Sequence, residues 1–146
     1  MIQRIQSLLL LTAGALSLSL FGLPFATSAE RVQSSSILND GVYNLHDNIG
    51  ILLAFLVGGA LSLAAIFMFK NRTNQTLLAR FAFIANLIGM ILVVVFYLND
   101  TQNQGAAVVS DGAGAYLPLA SMILLLVAMR YIKKDDTLVR SMDRLR

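Results

Sequence analysis

The apolar positions of this chain are concentrated in four long runs separated by polar segments. The runs cover residues 5–26, 49–69, 77–98 and 113–132. A helix needs about 20 predominantly apolar residues to cross the hydrocarbon core of a bilayer, and there it satisfies all of its own backbone hydrogen bonds. The pattern therefore predicts an all-α polytopic membrane protein, in which four transmembrane helices form an antiparallel bundle as a single domain.

The polar segments between the runs predict two long loops on one side and one short turn on the other. Residues 27–48 are rich in Ser and Asn, which favour turns, and residues 99–115 contain no Lys or Arg. Residues 70–76 are short and basic. Thr76, at the end of this turn, is predicted to cap the third helix.

Residues 133–146 predict a short amphipathic helix at the C-terminus. One of the two aspartates at 135 and 136 is expected to cap it. Its basic residues are predicted to bind anionic headgroups at the membrane surface or to dock a cytoplasmic partner. The apolar residues at i, i+4, i+7 spacing are Leu138, Met142 and Leu145, and the basic residues are Lys133, Lys134, Arg140, Arg144 and Arg146.

The distribution of basic residues predicts the orientation of the bundle. Ten of the eleven Lys and Arg residues lie on one side of the four runs, and only Arg31 lies in a segment of the opposite kind. Positively charged segments remain in the cytoplasm, so both termini and the 70–76 turn are predicted to be cytoplasmic. Because the basic residues adjoin the spans, the net charge of +3 does not indicate nucleic-acid binding.

Composition supports a membrane class. The chain is 57% hydrophobic and only 13% charged, whereas a soluble domain carries about 25% charged residues. The first run also has features of a secretory signal, namely Arg4 before it and small residues after it. The run of about 20 apolar residues is longer than a signal core, which favours an uncleaved first span.

Small and polar residues inside the runs predict helix-packing contacts. Gly50, Ala54, Gly58 and Ser62 recur every four residues, which places them on one stripe of the second helix. Such a stripe lets a neighbouring helix approach closely, although glycine is also common in spanning helices in general. Asn86 lies within the third run, where its amide needs a partner. An intramolecular contact is favoured over a ligand or pore contact.

The residue types needed for catalysis are sparse. The chain has no cysteine. Its one histidine, His46, is followed by Asp47, a pair that either binds a metal weakly or senses pH, or else decorates the start of a helix. No carboxylate falls inside a run, which argues against proton or ion pumping. We therefore predict no catalytic residue, no cofactor and no metal site.

The two ends of the chain resemble those of a known family. The sequence opens Met-Ile-Gln-Arg-Ile-Gln and closes Lys-Lys-Asp-Asp-Thr-Leu-Val-Arg-Ser-Met-Asp-Arg-Leu-Arg. These ends, the number of spans and the loop lengths resemble an uncharacterised bacterial four-span family catalogued as a domain of unknown function. The resemblance implies a four-helix protein of the bacterial inner membrane with cytoplasmic ends, and it brings no catalytic residues.

Three functions are compatible with these observations. The favoured one is a non-catalytic accessory or scaffold subunit of a larger inner-membrane complex, with membrane lipids and other membrane proteins as partners. Protein translocation and envelope biogenesis are examples of such settings, although no residue points to either. The first alternative is a small oligomeric channel or a carrier of lipid or small molecules, with Asn86 lining its path. The second is an enzyme that uses His46 and the acidic residues of the two long loops, which are Glu30, Asp40, Asp47, Asp100 and Asp111.

Overall fold

A computed structural model of the chain describes residues 2–28, 40–104 and 109–143, and these residues are mostly helical. The long helices are α1 (Ile2–Ser19), α2 (Ile49–Phe67), α3 (Arg72–Gln104) and α4 (Leu117–Asp143), and the short strands are β1 (Ala26–Ser28), β2 (Val42–Tyr43) and β3 (Val109–Asp111). Single 3₁₀ turns at Leu45–Asp47 and Ala113–Ala115 precede α2 and α4.

The four helices form a bundle in which each helix packs against two neighbours. α1 contacts α2 and α4, and α3 contacts the same two helices from the opposite side. The end of α1 shares a buried apolar cluster with the beginning of α2, represented by Leu20 and Ile51. A second cluster joins the beginning of α1 to the end of α4, represented by Leu10 and Ile132. Successive helices therefore run in opposite directions.

Three of the helices are long and apolar enough to cross a membrane. The qualifying segments are Ile49–Phe67, Arg72–Asn99 and Ala113–Val139. The apolar part of α1 is shorter and covers Ile5–Ser19. At 1.5 Å per residue this part is about 22 Å long, against a hydrocarbon core of about 30 Å.

The prediction that the first helix continues to residue 26 is wrong. α1 ends at Ser19, and the apolar residues that follow make their hydrogen bonds outside a helix. The backbone N–H of Phe25 donates to the carbonyl of Tyr43 at 2.8 Å, and the carbonyl of Pro24 accepts from Gly114 N–H at 2.9 Å. Leu20 and Phe25 are buried. Their apolar side chains fill the core at this end of the bundle.

A three-stranded antiparallel sheet caps this end and was not predicted. Its strand order is β2-β1-β3, with Ala26 opposite both Tyr43 and Asp111. The ring of Phe25 packs against Tyr43 at a centroid distance of 5.4 Å and against Phe55 of α2 at 6.0 Å. The sheet thus ties both long connections to the helical core. We refer to this end of the bundle as the sheet end and to the other as the basic end.

At the basic end, the turn between α2 and α3 is shorter than predicted, and Thr76 does not cap α3. The helix already begins at Arg72. The side chain of Asn71 caps it by accepting the N–H of Asn74 at 3.2 Å. Thr76 lies one turn inside the helix, where its hydroxyl donates to the carbonyl of Arg72 at 2.9 Å.

The C-terminal segment is not a separate helix, because α4 continues without a break to Asp143. Asp135 and Asp136 therefore lie inside α4 and do not cap a helix. The carboxylate of Asp135 accepts a hydrogen bond from Arg72 Nε at 2.8 Å, which holds the extension of α4 against the start of α3. This link between helices favours continuation of α4 over a break.

Candidate functional site

A buried polar network joins three helices in the middle of the bundle. The Oδ1 atom of Asn86 (α3) accepts a hydrogen bond from Ser17 (α1) at 2.8 Å. Ser17 Oγ lies 2.9 Å from Ser121 Oγ (α4), and Ser121 donates to the carbonyl of Ala13 at 2.9 Å. The Asn86 amide also donates to the carbonyl of Ala82 at 2.8 Å. All three polar side chains are fully buried, so the network satisfies itself within the protein.

The second helix completes this centre with a glycine. A β-carbon built on Gly58 would lie 2.5 Å from Asn86 Nδ2 and 3.4 Å from the carbonyl oxygen of Ala82. The Asn86 side chain therefore packs directly on the α2 backbone. At this level all four helices meet around one amide group.

The rest of the small-residue stripe of α2 also lies inside the bundle. A β-carbon on Gly50 would contact Leu92 of α3 at 3.6 Å. The β-carbon of Ala54 lies near Gly89, which is also on α3. Ser62 is fully buried and donates to the carbonyl of Leu10 on α1 at 2.8 Å. The stripe thus meets α3 and α1, leaving none of its four residues exposed to an outside partner.

Some residues of this centre were not singled out from the sequence. Ser17 and Ser121 are single hydroxyls in apolar runs, and a serine can bond to its own helix as readily as to another one. Gly14 was also missed. It lets α1 approach Gly59, which adjoins the predicted stripe of α2, since a β-carbon on Gly14 would lie 3.3 Å from the Gly59 carbonyl. All of these small and polar residues lie in membrane-length apolar runs. In such runs, small and polar residues mark helix contacts, and this was the signal in the sequence that could have identified them.

A second candidate site is a groove of about 440 Å³ between α3 and α4 at the basic end. Arg72, Arg80, Arg130 and Lys133 line it. Arg72 is paired with Asp135. For the other three cations, no carboxylate of the described side chains lies within ion-pair distance. The remaining lining residues are Thr73, Thr76, Leu77, Leu126, Met129 and Asp136.

The predicted tail residues divide into those the structure describes and those it does not. Lys133 and Lys134 are exposed on neighbouring positions of α4, and only Lys133 lines the groove. Other predicted residues lie wholly or partly outside the described part of the chain. Only the backbone is described for Arg140 and Met142. The residues that lie wholly outside it are Arg31, Arg144, Leu145 and Arg146.

His46 lies at the sheet end in the 3₁₀ turn before α2. Its exposed ring contacts Phe21 edge-on at a centroid distance of 5.8 Å. Asn48 caps α2 by accepting Gly50 N–H at 2.8 Å, and Asp47 accepts Asn44 N–H at 2.6 Å. Partial burial raises the pKa of Asp47 and the nearby Asp40 carboxylate adds to this, while the hydrogen bond from Asn44 and His46 oppose the shift. Within the described ranges, no three His, Cys, Asp or Glu residues are grouped as metal ligands would be.

A smaller apolar cavity of about 140 Å³ lies beneath the sheet, between α3 and the start of α4. Aromatic and aliphatic side chains line it, including Phe25, Tyr43, Val93 and Tyr97. Among the described residues that line it, Asp111 carries the carboxylate. The lining residues belong largely to the core of the sheet end, so we assign this cavity to packing.

The fold and these sites define a helical protein with membrane-length apolar helices, a self-satisfied polar centre and a basic end. The chain belongs to the family described as domain of unknown function DUF4293, which matches residues 2–145. The family predicted from the two ends of the sequence, an uncharacterised one, is thereby confirmed. No curated protein shows significant similarity to the chain, and no solved structure does so either.

Proposed function

We propose that this protein is a four-span, non-catalytic protein of the bacterial inner membrane that serves as an accessory or scaffold subunit of a larger membrane complex. The observation that carries the proposal is the course of α4, which extends as one helix to Asp143. Residues 133–143 add about 16 Å of helix beyond the fourth apolar run. A rigid extension of this kind suits the docking of a partner outside the membrane.

The charge distribution supports a cytoplasmic location for this extension. The described Lys and Arg side chains all belong to the basic end, whereas Asp40, Asp47 and Asp111 lie at the sheet end. Positive charge favours retention in the cytoplasm. We therefore place the basic end and both termini in the cytoplasm and the sheet on the outer side.

The packing of α1 supports a fourth span. Although its apolar part is short, α1 lies between α2 and α4. Leu10 and Ala13 belong to the buried cluster of the basic end, and Leu20, directly after the last residue of α1, belongs to that of the sheet end. The helix thus follows the bundle from one end to the other, and the apolar residues up to Phe25 extend it to the outer surface.

The closed polar centre supports a structural role over transport. Asn86, Ser17 and Ser121 use their hydrogen-bonding groups on each other and on backbone carbonyls. A channel lined by Asn86 would need this amide to face an open path, and here it is fully buried against Gly58. The channel and carrier alternatives therefore have less support than the scaffold.

The extension of α4 has the chemistry of a docking element. Lys133, Lys134 and Leu138 are exposed on it, and the Arg72–Asp135 pair fixes its base. Leu138 offers apolar surface among these charges, and a partner that buries this surface gains free energy from it.

The test is purification of the tagged full chain from its native membrane after mild solubilisation. We expect a complex well above 15.9 kDa that contains another membrane protein in constant ratio. Leu138→Ala should lower the partner's recovery at unchanged yield of the bait. Leu119→Ala is the matched control, because both leucines lie on α4 and are 45% and 43% exposed. A wild-type protein that migrates alone, or equal effects of the two variants, would contradict the proposal.

A further inference from the structure

Two arginines of the groove between α3 and α4 lie within apolar helices and have no acidic partner among the described side chains. Arg80 follows the first residue of α3 by eight positions, about 12 Å along the axis. Arg130 precedes Asp135 by five positions, about 8 Å along α4. Both therefore lie deeper in the bundle than the Arg72–Asp135 pair, which marks its basic end.

A charged side chain at this depth is costly unless it reaches water or an anion. Both guanidinium groups face the same groove, together with Lys133. Three cations that share one groove repel each other. An anion between them removes this repulsion and supplies the missing acceptors.

The groove also has an apolar part. Leu77 of α3 and Leu126 and Met129 of α4 line it beside the cations. Leu77 and Leu126 are 48% and 45% exposed, so they present hydrocarbon to whatever occupies the groove. Along α4, the apolar Leu126 and Met129 lie farther from the basic end than Arg130 and Lys133. This order matches an amphiphile with an anionic headgroup.

We propose that the groove between α3 and α4 binds one anionic phospholipid, whose phosphodiester lies between Arg80, Arg130 and Lys133 and whose acyl chain packs on Leu126 and Met129. Guanidinium groups bind phosphate oxygens through paired N–H donors. Basic pockets between transmembrane helices on the cytoplasmic side are known sites for such headgroups. With Arg72 neutralised by Asp135, the described lining of the groove carries more cations than carboxylates. A lipid with two phosphates, such as cardiolipin, offers these cations more than one anionic group.

This proposal requires that the protein is inserted in a membrane, but it requires no protein partner. It can therefore be tested independently of the scaffold function. A soluble phosphate would use the same cations and would gain nothing from the apolar part. The two sources of phosphate are therefore distinguished by whether acyl chains raise the affinity. A lipid should bind more tightly than glycerol phosphate.

The experiment is native mass spectrometry of the purified full chain in detergent, titrated with cardiolipin, with phosphatidylcholine of matched chains and with glycerol phosphate. We expect a one-to-one cardiolipin adduct that survives detergent washing and a dissociation constant at least tenfold lower than for phosphatidylcholine. The Arg80→Gln, Arg130→Gln double variant should weaken cardiolipin binding about tenfold or more. The corresponding double change to Lys should weaken it less, because it keeps the charge and loses only the paired donors.

Lys70→Gln is the matched control, since Lys70 is exposed in the turn between α2 and α3 at the same end of the bundle but does not line the groove. It should leave the affinity unchanged, whereas Lys133→Gln should lower it. Unchanged thermal unfolding of the variants shows that the fold is retained. Equal binding of the two lipids, equal loss in Lys70→Gln and Lys133→Gln, or glycerol phosphate binding as tight as that of cardiolipin would each overturn the proposal.

Discussion

Asn86 of α3 lies directly against Gly58 of α2, so that the amide group of one helix occupies the space that a side chain on the other would need. The same amide accepts the hydroxyl of Ser17 from α1, and Ser17 adjoins Ser121 of α4. The contact between Asn86 and Gly58 thus positions the amide for its hydrogen bond to α1, and through Ser17 it links α3 to α4.

The first prediction concerns the space at Gly58. Gly58→Ala places a β-carbon 2.5 Å from Asn86 Nδ2, so α2 and α3 must separate or the amide must leave its partners. We expect a loss of about 1–3 kcal/mol in the free energy of unfolding, as for other overpacked cores. Circular dichroism of unfolding in detergent measures this. Gly22→Ala is the control, because the nearest atom to its β-carbon is 3.9 Å away and stability should change little.

The second prediction concerns the coupling between Asn86 and Ser17. Asn86→Leu removes the acceptor of the Ser17 hydroxyl, and Ser17→Ala removes the donor. We expect each change to cost about 0.6–2 kcal/mol, and we expect the double variant to cost less than the two together. A double-mutant cycle of unfolding free energies gives the coupling. Ser19→Ala with Asn86→Leu should be additive, because Ser19 bonds within its own helix to the carbonyl of Leu16.

The helices of this fold were predictable from the sequence, because runs of about 20 apolar residues leave the backbone no other way to satisfy its hydrogen bonds in lipid. Asn86 was recognisable for the same reason, as an amide in such a run. The end of α1 was missed because Leu20 and Phe25 are as apolar as a membrane segment. Gly22 and Pro24, which commonly follow a helix end, were the available signal, and the pairing of Ala26 with Tyr43 and Asp111 shows that the chain is extended there.

The partners within the site were also beyond the sequence. Nothing local distinguishes Ser17, which bonds across the bundle, from Ser19, which does not. The strands have only two or three residues each, too few for an alternating pattern. The acidic pair at 135 and 136 looked like a helix start, because the partner of Asp135 is Arg72, 63 positions away.

The third prediction concerns the Arg72–Asp135 pair. Asp135→Asn should loosen the base of the α4 extension and increase amide hydrogen exchange in residues 133–143. The global cost should be at most about 1 kcal/mol, because both side chains are partly solvated and water screens the pair. Reversal of the pair by Arg72→Asp with Asp135→Arg should restore protection. Lys134→Gln, which alters an exposed charge on the same helix turn, should leave the exchange unchanged.

The fourth prediction concerns Asp47 and pH. Its pKa in the folded protein is raised above the ordinary 3.8, mainly by burial. The folded state therefore binds the proton more readily than the unfolded state, and stability should fall as pH rises from the ordinary value through the raised one. Asp47→Asn should remove this component from the pH dependence of unfolding. Identical pH profiles for the variant and the wild type would contradict the assignment.

The central claim is a bundle of four spans with its basic end in the cytoplasm and its sheet outside. The chain contains no cysteine, so single cysteines report location without a background. We would introduce His46→Cys and Ser110→Cys at the sheet end, and Asn74→Cys and Lys134→Cys at the basic end, all at exposed positions. Intact cells would then be treated with a membrane-impermeant maleimide. The account predicts labelling of the two sheet-end cysteines in intact cells and of the two basic-end cysteines only after permeabilisation. Labelling of both ends from the same side, or the reverse pattern, would contradict it.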